Sequence, residues 1–331
     1  MDKSKKIKYL STAIKILVVL LSFAFIYNHV IVEWSEKESL NPLDDISLSP
    51  FLFSAVVLLL FFNWGFEALK WKFLASKVER ISYWESYKGV LSGVTISIFA
   101  PFKMGEYIGR SLHLNPDNRI SASVLSVYGS MVQLFITVLL GGLSLIYFLW
   151  KFSLLDFQWI ILISISLLIA NALLFLSLIF PSILLKVLNK TPLPEKWKKY
   201  FNVLAEFEIG DLIVWAILVS MARYFVFSLQ FYICLLIFNV DLPLIDGLVI
   251  VAISFYALSF LSLSALMELG ATRTAITLFL LETYMKSTGE LIPAAASGVW
   301  MASTIIWLIN LAFPAIIGAI FMYRVKIFKE E

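Results

Sequence analysis

A ten-residue stretch of the sequence gathers charges of both signs next to a proline and two glycines. Residues 101–110 read Pro-Phe-Lys-Met-Gly-Glu-Tyr-Ile-Gly-Arg, which places Lys103, Glu106 and Arg110 close together. Glu106 and Arg110 are four residues apart, so on a helix they share a face and can pair. Lysine and arginine in this setting could bind an anionic phosphate, and arginine could do so through two hydrogen bonds. The alternative is that Glu106 and Arg110 only pair with each other and hold this part of the chain in place.

A second charged stretch resembles the first in its length and in its end residues. Residues 267–273 read Met-Glu-Leu-Gly-Ala-Thr-Arg, with Glu268 and Arg273 on either side of Gly270, and residues 104–110 also begin with methionine and end with arginine. We expect Glu268 and Arg273 to help bind the same anion. The alternative is that they lie at an aqueous rim and extend their charged ends into water.

Arg223 lies among apolar residues, in the middle of the run from Leu212 to Phe238. A charge at the centre of a lone membrane helix costs roughly 2.5–3.5 kcal/mol on insertion scales, so such a residue needs a partner or a function. We expect Arg223 to contact either a ligand or one of the charged stretches. Glu67 lies one turn before Lys70 near the end of another apolar run, and we interpret these two as an ion pair at the membrane interface.

Composition indicates that these charges belong to a membrane protein. The 331 residues are 60% hydrophobic and only 15% charged, whereas soluble domains are about 25% charged. One cysteine excludes an intrachain disulfide, and two histidines leave little for a metal site. The sequence contains no Gly-rich loop ending in Lys-Ser/Thr, no His-Glu-x-x-His, no Gly-x-Ser-x-Gly and no Cys-x-x-Cys motif. We therefore expect no cofactor, no metal, no nucleic-acid partner and no enzymatic activity.

The apolar residues form six runs that can each cross a bilayer as a helix, which takes about 20 residues. The fold class that this pattern predicts is an all-α polytopic membrane protein. The predicted spans, in chain order, are Ile7–Val32, Pro50–Leu74, Ser121–Leu149, Phe157–Phe180, Asp211–Phe238 and Ile292–Tyr323.

Two further apolar runs are too short to span. Val90–Ala100 stops at Pro101, which cannot continue the hydrogen bonds of a helix, and Gly105 leaves room for another backbone or a head group. Thr274–Leu281 is followed at once by Glu282. We predict that each run belongs to a re-entrant or broken helical hairpin. Such hairpins are tolerated at membrane depth only where they are buried in protein or line a wet cavity.

The distribution of basic residues predicts the orientation, because lysine and arginine gather on the cytoplasmic side. We expect the protein to lie in the cell membrane, that is, the inner or plasma membrane. Six spans and two hairpins then place both termini on the cytoplasmic side, together with the lysine-rich, amphipathic loop 181–210. Residues 1–331 form one domain with two halves, 7–149 and 157–323, and each half contains two spans, a hairpin and a further span. We therefore predict an inverted repeat, an architecture of many alternating-access transporters.

Two stretches of the sequence carry motifs of a known family. Asn63–Leu74 is similar to an Asn…Arg/Lys-Trp span end, and residues 101–110 to a Pro-x-Arg/Lys-x-Gly-Glu-x-x-Arg motif, with the arginine one place later than is commonest. Both motifs belong to the flippase-like family of the lysylphosphatidylglycerol synthase transmembrane region. Leu261–Arg273 corresponds to that family's Gly-Gly-Leu-Gly-x-x-Glu hairpin but departs from it, because serines stand where proline is usual and Arg273 falls where the glutamate is expected.

The resemblance implies a domain that moves a lipid or a lipid-linked head group between leaflets. In the best-known relatives this domain is fused to a soluble aminoacyl-transfer domain, which has no counterpart in these 331 residues. We therefore do not expect the synthase activity.

We predict a transporter that moves an anionic phospholipid, or a lipid-linked head group of the polyprenyl-phosphate type, through a polar groove between the two hairpins. The predicted substrate-binding residues are Pro101, Lys103, Gly105, Glu106, Arg110, Arg223, Glu268, Gly270 and Arg273. Two alternatives remain: a membrane-embedded enzyme with Glu106 as general base, and an accessory subunit of an envelope lipid or glycan assembly complex. Membrane lipids are the expected partners, and a second copy of the chain or envelope-synthesis enzymes are further candidates.

Overall fold

The computed structural model describes residues 49–98, 100, 104–180, 209–261, 271–292 and 295–323. Within these ranges all regular secondary structure is helical. The helices are α1 (Pro50–Ala75), α2 (Tyr83–Ser97), α3 (Met104–Ser111), α4 (Arg119–Lys151), α5 (Phe157–Ile179), α6 (Ile209–Ile237), α7 (Leu244–Leu261), α8 (Ala271–Thr288), α9 (Ala295–Trp307) and α10 (Phe313–Tyr323), with a π-helical turn, Leu308–Ala312, between the last two. The predicted first span and residues 181–208 of the predicted cytoplasmic loop lie outside the described residues.

Five stretches of the described chain are helices long and apolar enough to cross a membrane. They are Pro50–Ala75, Arg119–Lys151, Phe157–Ile179, Ile213–Ile237 and Ala295–Tyr323. These are the second to sixth predicted spans, and the helices that contain them begin and end within about three residues of the predicted positions. The all-helical prediction is confirmed for the described residues, and the chain is a helical membrane protein.

Local sequence signals explain where two of the helices begin. Ser49 precedes Pro50, and the Ser49 side chain accepts a hydrogen bond from the backbone N–H of Leu52, so it satisfies a donor that the first turn leaves open. α2 begins with a capping box, in which the Ser82 hydroxyl accepts from the Glu85 backbone N–H and the Glu85 carboxylate accepts from the Ser82 backbone N–H. Both helix starts are therefore encoded within four residues of sequence.

α2 and α3 form a helical hairpin, called here the first hairpin, at the predicted interruption. Glycines let the two helices approach closely: a Cβ atom on Gly109 would lie 2.5 Å from the Gly93 Cα, and one on Gly93 would lie 2.8 Å from the Glu106 carbonyl oxygen. Gly105, predicted to leave room for another backbone, packs against the backbone of Ile96. α2 has 15 residues and α3 has eight, so each is shorter than the roughly 20 residues that a span needs. Pro101 and Lys103 lie outside the described residues.

α7 and α8 form the second hairpin. Its two helices are joined by a contact between hydroxyl groups, whereas those of the first hairpin meet at glycines. The Ser254 and Thr277 hydroxyls are 3.0 Å apart and fully buried. α8 continues past Glu282 to Thr288, so the short apolar run is only the first part of a longer helix. Residues 262–270, which include Glu268 and Gly270, lie outside the described residues.

Each hairpin packs against the last span of the other half of the chain. The first hairpin contacts α10, where Thr95 donates a hydrogen bond to the Ala315 carbonyl oxygen over 2.7 Å and Gly318 faces the backbone of Leu91. The second hairpin contacts α4, where a Cβ on Gly141 would lie 2.5 Å from the Tyr256 Cβ. α1 and α6 also pack directly against each other, and the first hairpin contacts α1 while the second contacts α6.

Candidate functional site

Glu67 on α1 lies at the centre of a buried group of charges. Its side chain is 2% exposed and forms ion pairs with Lys70 at 2.9 Å, Arg110 at 2.7 Å and Arg223 at 3.0 Å. The sequence led us to interpret Glu67 and Lys70 as an ion pair at the interface. The pair is present, but it is buried, because arginines from α3 and α6 converge on the same carboxylate.

Arg110 connects this carboxylate to the first hairpin. One guanidinium nitrogen donates to a Glu67 oxygen over 2.7 Å, and another donates to a Glu106 oxygen over 2.8 Å. The predicted pairing of Glu106 with Arg110 is therefore present. Arg110 is 2% exposed, whereas the Glu106 side chain is 22% exposed. We call Glu67, Lys70, Glu106, Arg110 and Arg223 the charge cluster.

A cavity of about 230 Å³ adjoins the charge cluster. Three of the predicted site residues meet at its wall: Glu106 from the first hairpin, Arg223 from the middle of α6, and Arg273 from the second hairpin. The other lining residues come from α1, α4, α6, α7, α9 and the π-helical turn, and they are Asn63, Trp64, Gln133, Thr137, Tyr224, Phe227, Phe255, Leu258, Ser259, Ile306, Trp307, Asn310 and Leu311. Arg110 does not line the cavity but pairs with Glu106, which does.

A chain of buried amides links Arg223 to three helical segments. Arg223 donates to the Asn63 side-chain oxygen over 3.0 Å, and Asn63 donates to Asn310 over 2.8 Å. Asn310, in the π-helical turn, donates to Gln230 over 2.9 Å, and Gln230 donates to the Val56 carbonyl oxygen over 2.8 Å. π-Helical turns occur often at functional sites.

Sequence reasoning missed these amides as candidate site residues. The available signal was that Asn63, Gln230 and Asn310 each lie inside a predicted span. A buried amide without hydrogen bonds costs several kcal/mol in an apolar medium, so an amide in a span indicates a partner. The sequence does not say which residue the partner is.

Aromatic rings form another part of the site. The Arg223 guanidinium lies 5.5 Å from the centre of the Trp64 ring, and that of Arg273 lies 5.6 Å from the centre of the Phe231 ring. Phe255 stacks on Phe227 at 4.8 Å, and both line the cavity. Rings at these distances stabilise a cation without neutralising it, and Arg223 is also paired with Glu67.

The electrostatic balance of the described site is positive. The charge cluster contains three cations and two carboxylates, and Arg273 places a further cation at the same cavity. Lys70 and Arg110 do not line the cavity, whereas Arg223 and Arg273 do. An arrangement of this kind can bind an anionic group, and arginine suits phosphate in particular.

His113, in the connection after the first hairpin, does not add to this positive charge. Its Nε2 atom lies 2.8 Å from the Ser92 hydroxyl. Burial, reinforced by the nearby cations Lys88 and Arg119, lowers the pKa of His113 to about 4. The imidazole is therefore neutral around pH 7, and it serves to fix the end of the first hairpin.

The fold and the site together define a class: a helical membrane protein with a cationic cavity between two helical hairpins. Within that class the chain belongs to the family described as the lysylphosphatidylglycerol synthase TM region, whose model matches residues 12–281. The resemblance seen in the sequence motifs is thereby confirmed. A search of curated proteins and a search of solved structures each give no significant match.

Proposed function

We propose that this protein moves an anionic phospholipid, or a lipid-linked head group of the polyprenyl-phosphate type, from one leaflet of the cell membrane to the other. The observation that carries the proposal is the meeting of Arg223 and Arg273, from different helices, at one cavity. A phosphate crossing hydrocarbon loses its water, and these guanidinium groups would replace that water with charge-assisted hydrogen bonds.

The size of the cavity favours a head group as the part that is bound. A volume of about 230 Å³ is below the roughly 300–1,000 Å³ of pockets that enclose a complete drug-sized ligand. The acyl or prenyl tail would therefore stay outside, in lipid. Phe227, Phe255 and Leu258 give the cavity an apolar side on which the first carbon atoms of a tail could lie.

The contacts between the two halves support an inverted repeat with re-entrant hairpins. The first hairpin packs on α10 and the second on α4, while α1 packs on α6. This reciprocal pattern is the one expected if residues 7–149 and 157–323 are related by an axis between α1 and α6. In such transporters the substrate site lies at the interface of the repeats, and rocking of one repeat against the other exposes it to each side in turn. The orientation would follow the distribution of basic residues, with the termini in the cytoplasm.

The test is reconstitution into liposomes that contain fluorescent phosphatidylglycerol or fluorescent phosphatidylcholine. We expect wild-type protein to speed the exchange of the anionic lipid between leaflets more than that of phosphatidylcholine, which carries no net charge. Arg223→Gln and Arg273→Gln should each slow the anionic exchange about tenfold or more, because a hydrogen bond to a charged group contributes about 1.5–3 kcal/mol. Arg80→Gln, which removes an exposed arginine outside the cavity, is the matched control.

Exchange that is equal for both lipids and unchanged in both cavity variants would contradict the proposal. The enzyme alternative rests on one observation, that Glu106 lines the cavity. Under that alternative Glu106→Gln would abolish turnover of a lipid-linked substrate and leave lipid exchange unchanged. An accessory subunit would tolerate all of these cavity substitutions.

A further inference from the structure

We propose that the hydroxyl oxygens of Thr137 and Ser259 accept hydrogen bonds from hydroxyl groups of the bound head group. The cavity would then select a phosphodiester of a polyol, such as glycerol, over a phosphodiester of the same size and charge that lacks hydroxyl groups. The inference deepens the proposed function, on which it rests, because it names the part of the head group that lies beyond the phosphate.

The neutral polar side chains of the cavity wall include three from α4 and α7. Gln133 and Thr137 are four residues apart on α4, so they share one face of that helix, and Ser259 comes from α7. All three are half-buried. The arginines at the same cavity, Arg223 and Arg273, come from α6 and α8. The wall therefore combines cations with neutral hydrogen-bonding groups.

The hydroxyl groups of Thr137 and Ser259 keep the capacity to accept hydrogen bonds. Thr137 donates its proton to the Gln133 carbonyl oxygen over 3.0 Å, and Ser259 donates to the Tyr256 carbonyl oxygen over 2.6 Å. A hydroxyl group has one donor and two acceptor lone pairs. Because each proton is used within its own helix, each oxygen is left as an acceptor, which suits a ligand that donates.

Thr137 lies close to the place where a phosphate would bind. The Gln133 side-chain oxygen is 3.5 Å from a guanidinium nitrogen of Arg223. Thr137 follows Gln133 by four residues, which is about 6 Å along the helix axis. A three-carbon alcohol extends over a similar distance. A phosphate bound at Arg223 would therefore have the hydroxyl groups of its glycerol within reach of Thr137.

An ammonium group is a less suitable donor at this wall than a hydroxyl group. It would lie close to the guanidinium groups of Arg223 and Arg273, which repel it. In the described part of the chain the carboxylate that lines the cavity is that of Glu106, and it already accepts from Arg110 over 2.8 Å. A hydroxyl group donates without carrying a charge, so it fits beside two arginines at a lower electrostatic cost.

The experiment compares two lipids with fluorescent acyl chains that differ only in the hydroxyl groups of the head group. Phosphatidylglycerol and phosphatidylpropanol are both phosphodiesters of a three-carbon alcohol with one negative charge, and the propanol carries no hydroxyl group. The full-length chain is reconstituted into liposomes, and exchange between leaflets is measured relative to protein-free liposomes. We expect the protein to accelerate phosphatidylglycerol about threefold to tenfold more, the range that one or two neutral hydrogen bonds give.

Thr137→Val and Ser259→Ala each remove one hydroxyl oxygen from the cavity wall. Each should lower the acceleration of phosphatidylglycerol about threefold and leave that of phosphatidylpropanol unchanged, and the double variant should accelerate both lipids equally. Thr304→Val is the matched control, because the Thr304 hydroxyl also donates to a carbonyl oxygen of its own helix, that of Trp300, but does not line the cavity. The readout is the ratio of the two rates, which a mere loss of folded protein would not change.

The possible failures are distinguishable. Equal acceleration of both lipids by wild type, lost in Arg223→Gln, would overturn the selection of hydroxyl groups and leave the proposed function standing. A ratio that stays at its wild-type value in the double variant would overturn the assignment to Thr137 and Ser259. Faster exchange of phosphatidylethanolamine than of phosphatidylglycerol would mean that the wall accepts from an ammonium. If wild type accelerates none of these lipids, the proposed function and the selection are both wrong.

Discussion

The two hairpins occupy related places in the chain but are held together by different means. In the first, glycines bring α2 and α3 into backbone contact, and Arg110 is neutralised by Glu67 and Glu106. In the second, a pair of buried hydroxyls joins α7 to α8, and Arg273 faces the cavity over an aromatic ring. The arginine of the first hairpin is therefore part of the buried charge cluster, whereas the arginine of the second hairpin lies at the wall of the cavity.

Similar charged motifs therefore need not have similar surroundings in the folded protein. Both segments end in arginine, and the sequence alone assigned both arginines to substrate. The structure separates them by their surroundings: Arg110 has two carboxylates within 3 Å, whereas Arg273 lies in the cavity wall. Substitutions in the two hairpins should therefore differ in the size of their effect on stability.

The largest effect is expected for Glu67→Gln. The change leaves three buried cations around a neutral amide, and breaking a buried ion pair in this way costs about 3–5 kcal/mol. Thermal unfolding in detergent should show a large loss of stability. Glu106→Gln is the control, because Glu106 is partly exposed and pairs with only one of these cations. Equal losses in the two variants would mean that Glu67 is not the organising carboxylate.

A smaller loss is expected for Gly109→Ala in the first hairpin. The added methyl group would lie 2.5 Å from the Gly93 Cα and 2.8 Å from the Ser92 carbonyl oxygen, which are backbone atoms that cannot rotate away. Overpacking of this kind costs about 1–3 kcal/mol, and the same unfolding measurement detects it. At Gly142 the new atom would be 3.4 Å from a flexible Leu167 side chain, so Gly142→Ala should be neutral or stabilising. If Gly109→Ala is as well tolerated as the control, the two helices are not in close contact.

The smallest effect is expected for Thr277→Val in the second hairpin. Valine keeps the shape of threonine and removes the hydrogen bond to Ser254, whose hydroxyl still donates to the Ile250 carbonyl oxygen. A net loss of about 0.5–1.5 kcal/mol follows. Thr283→Val, which removes a hydroxyl that bonds only within α8, should change the stability less. A loss larger than that of Gly109→Ala would reverse the comparison between the hairpins.

The helical architecture could largely be predicted because its causes are local. The apolar runs that form α1, α4, α5 and α6 are long enough to span a bilayer. Each of them is a single helix whose ends lie within about two residues of the predicted bounds. The interruption before Met104 was predictable from Pro101 and the short run before it. The extension of α8 to Thr288 was not, because polar residues after Glu282 carry no apolar signal for a helix that continues beyond the core.

The candidate site was only partly predictable. Glu106, Arg223 and Arg273 were selected because a charge inside an apolar segment needs an explanation, and all three line the cavity. Glu67 was assigned to the interface because it lies near the end of its span, and position along a helix does not report burial. The amides of Asn63 and Asn310 are 247 residues apart in the chain and meet only in the packed structure.

The class of protein, the positions of the spans and the interruption at the first hairpin can be read from the sequence, because length, apolarity and proline act on neighbouring residues. Which charges pair depends on how the helices pack. Lys70, Arg110 and Arg223 come from three helices and compete for one carboxylate. Electrostatic energy depends on distance and burial, and both are set when α1, the first hairpin and α6 pack together.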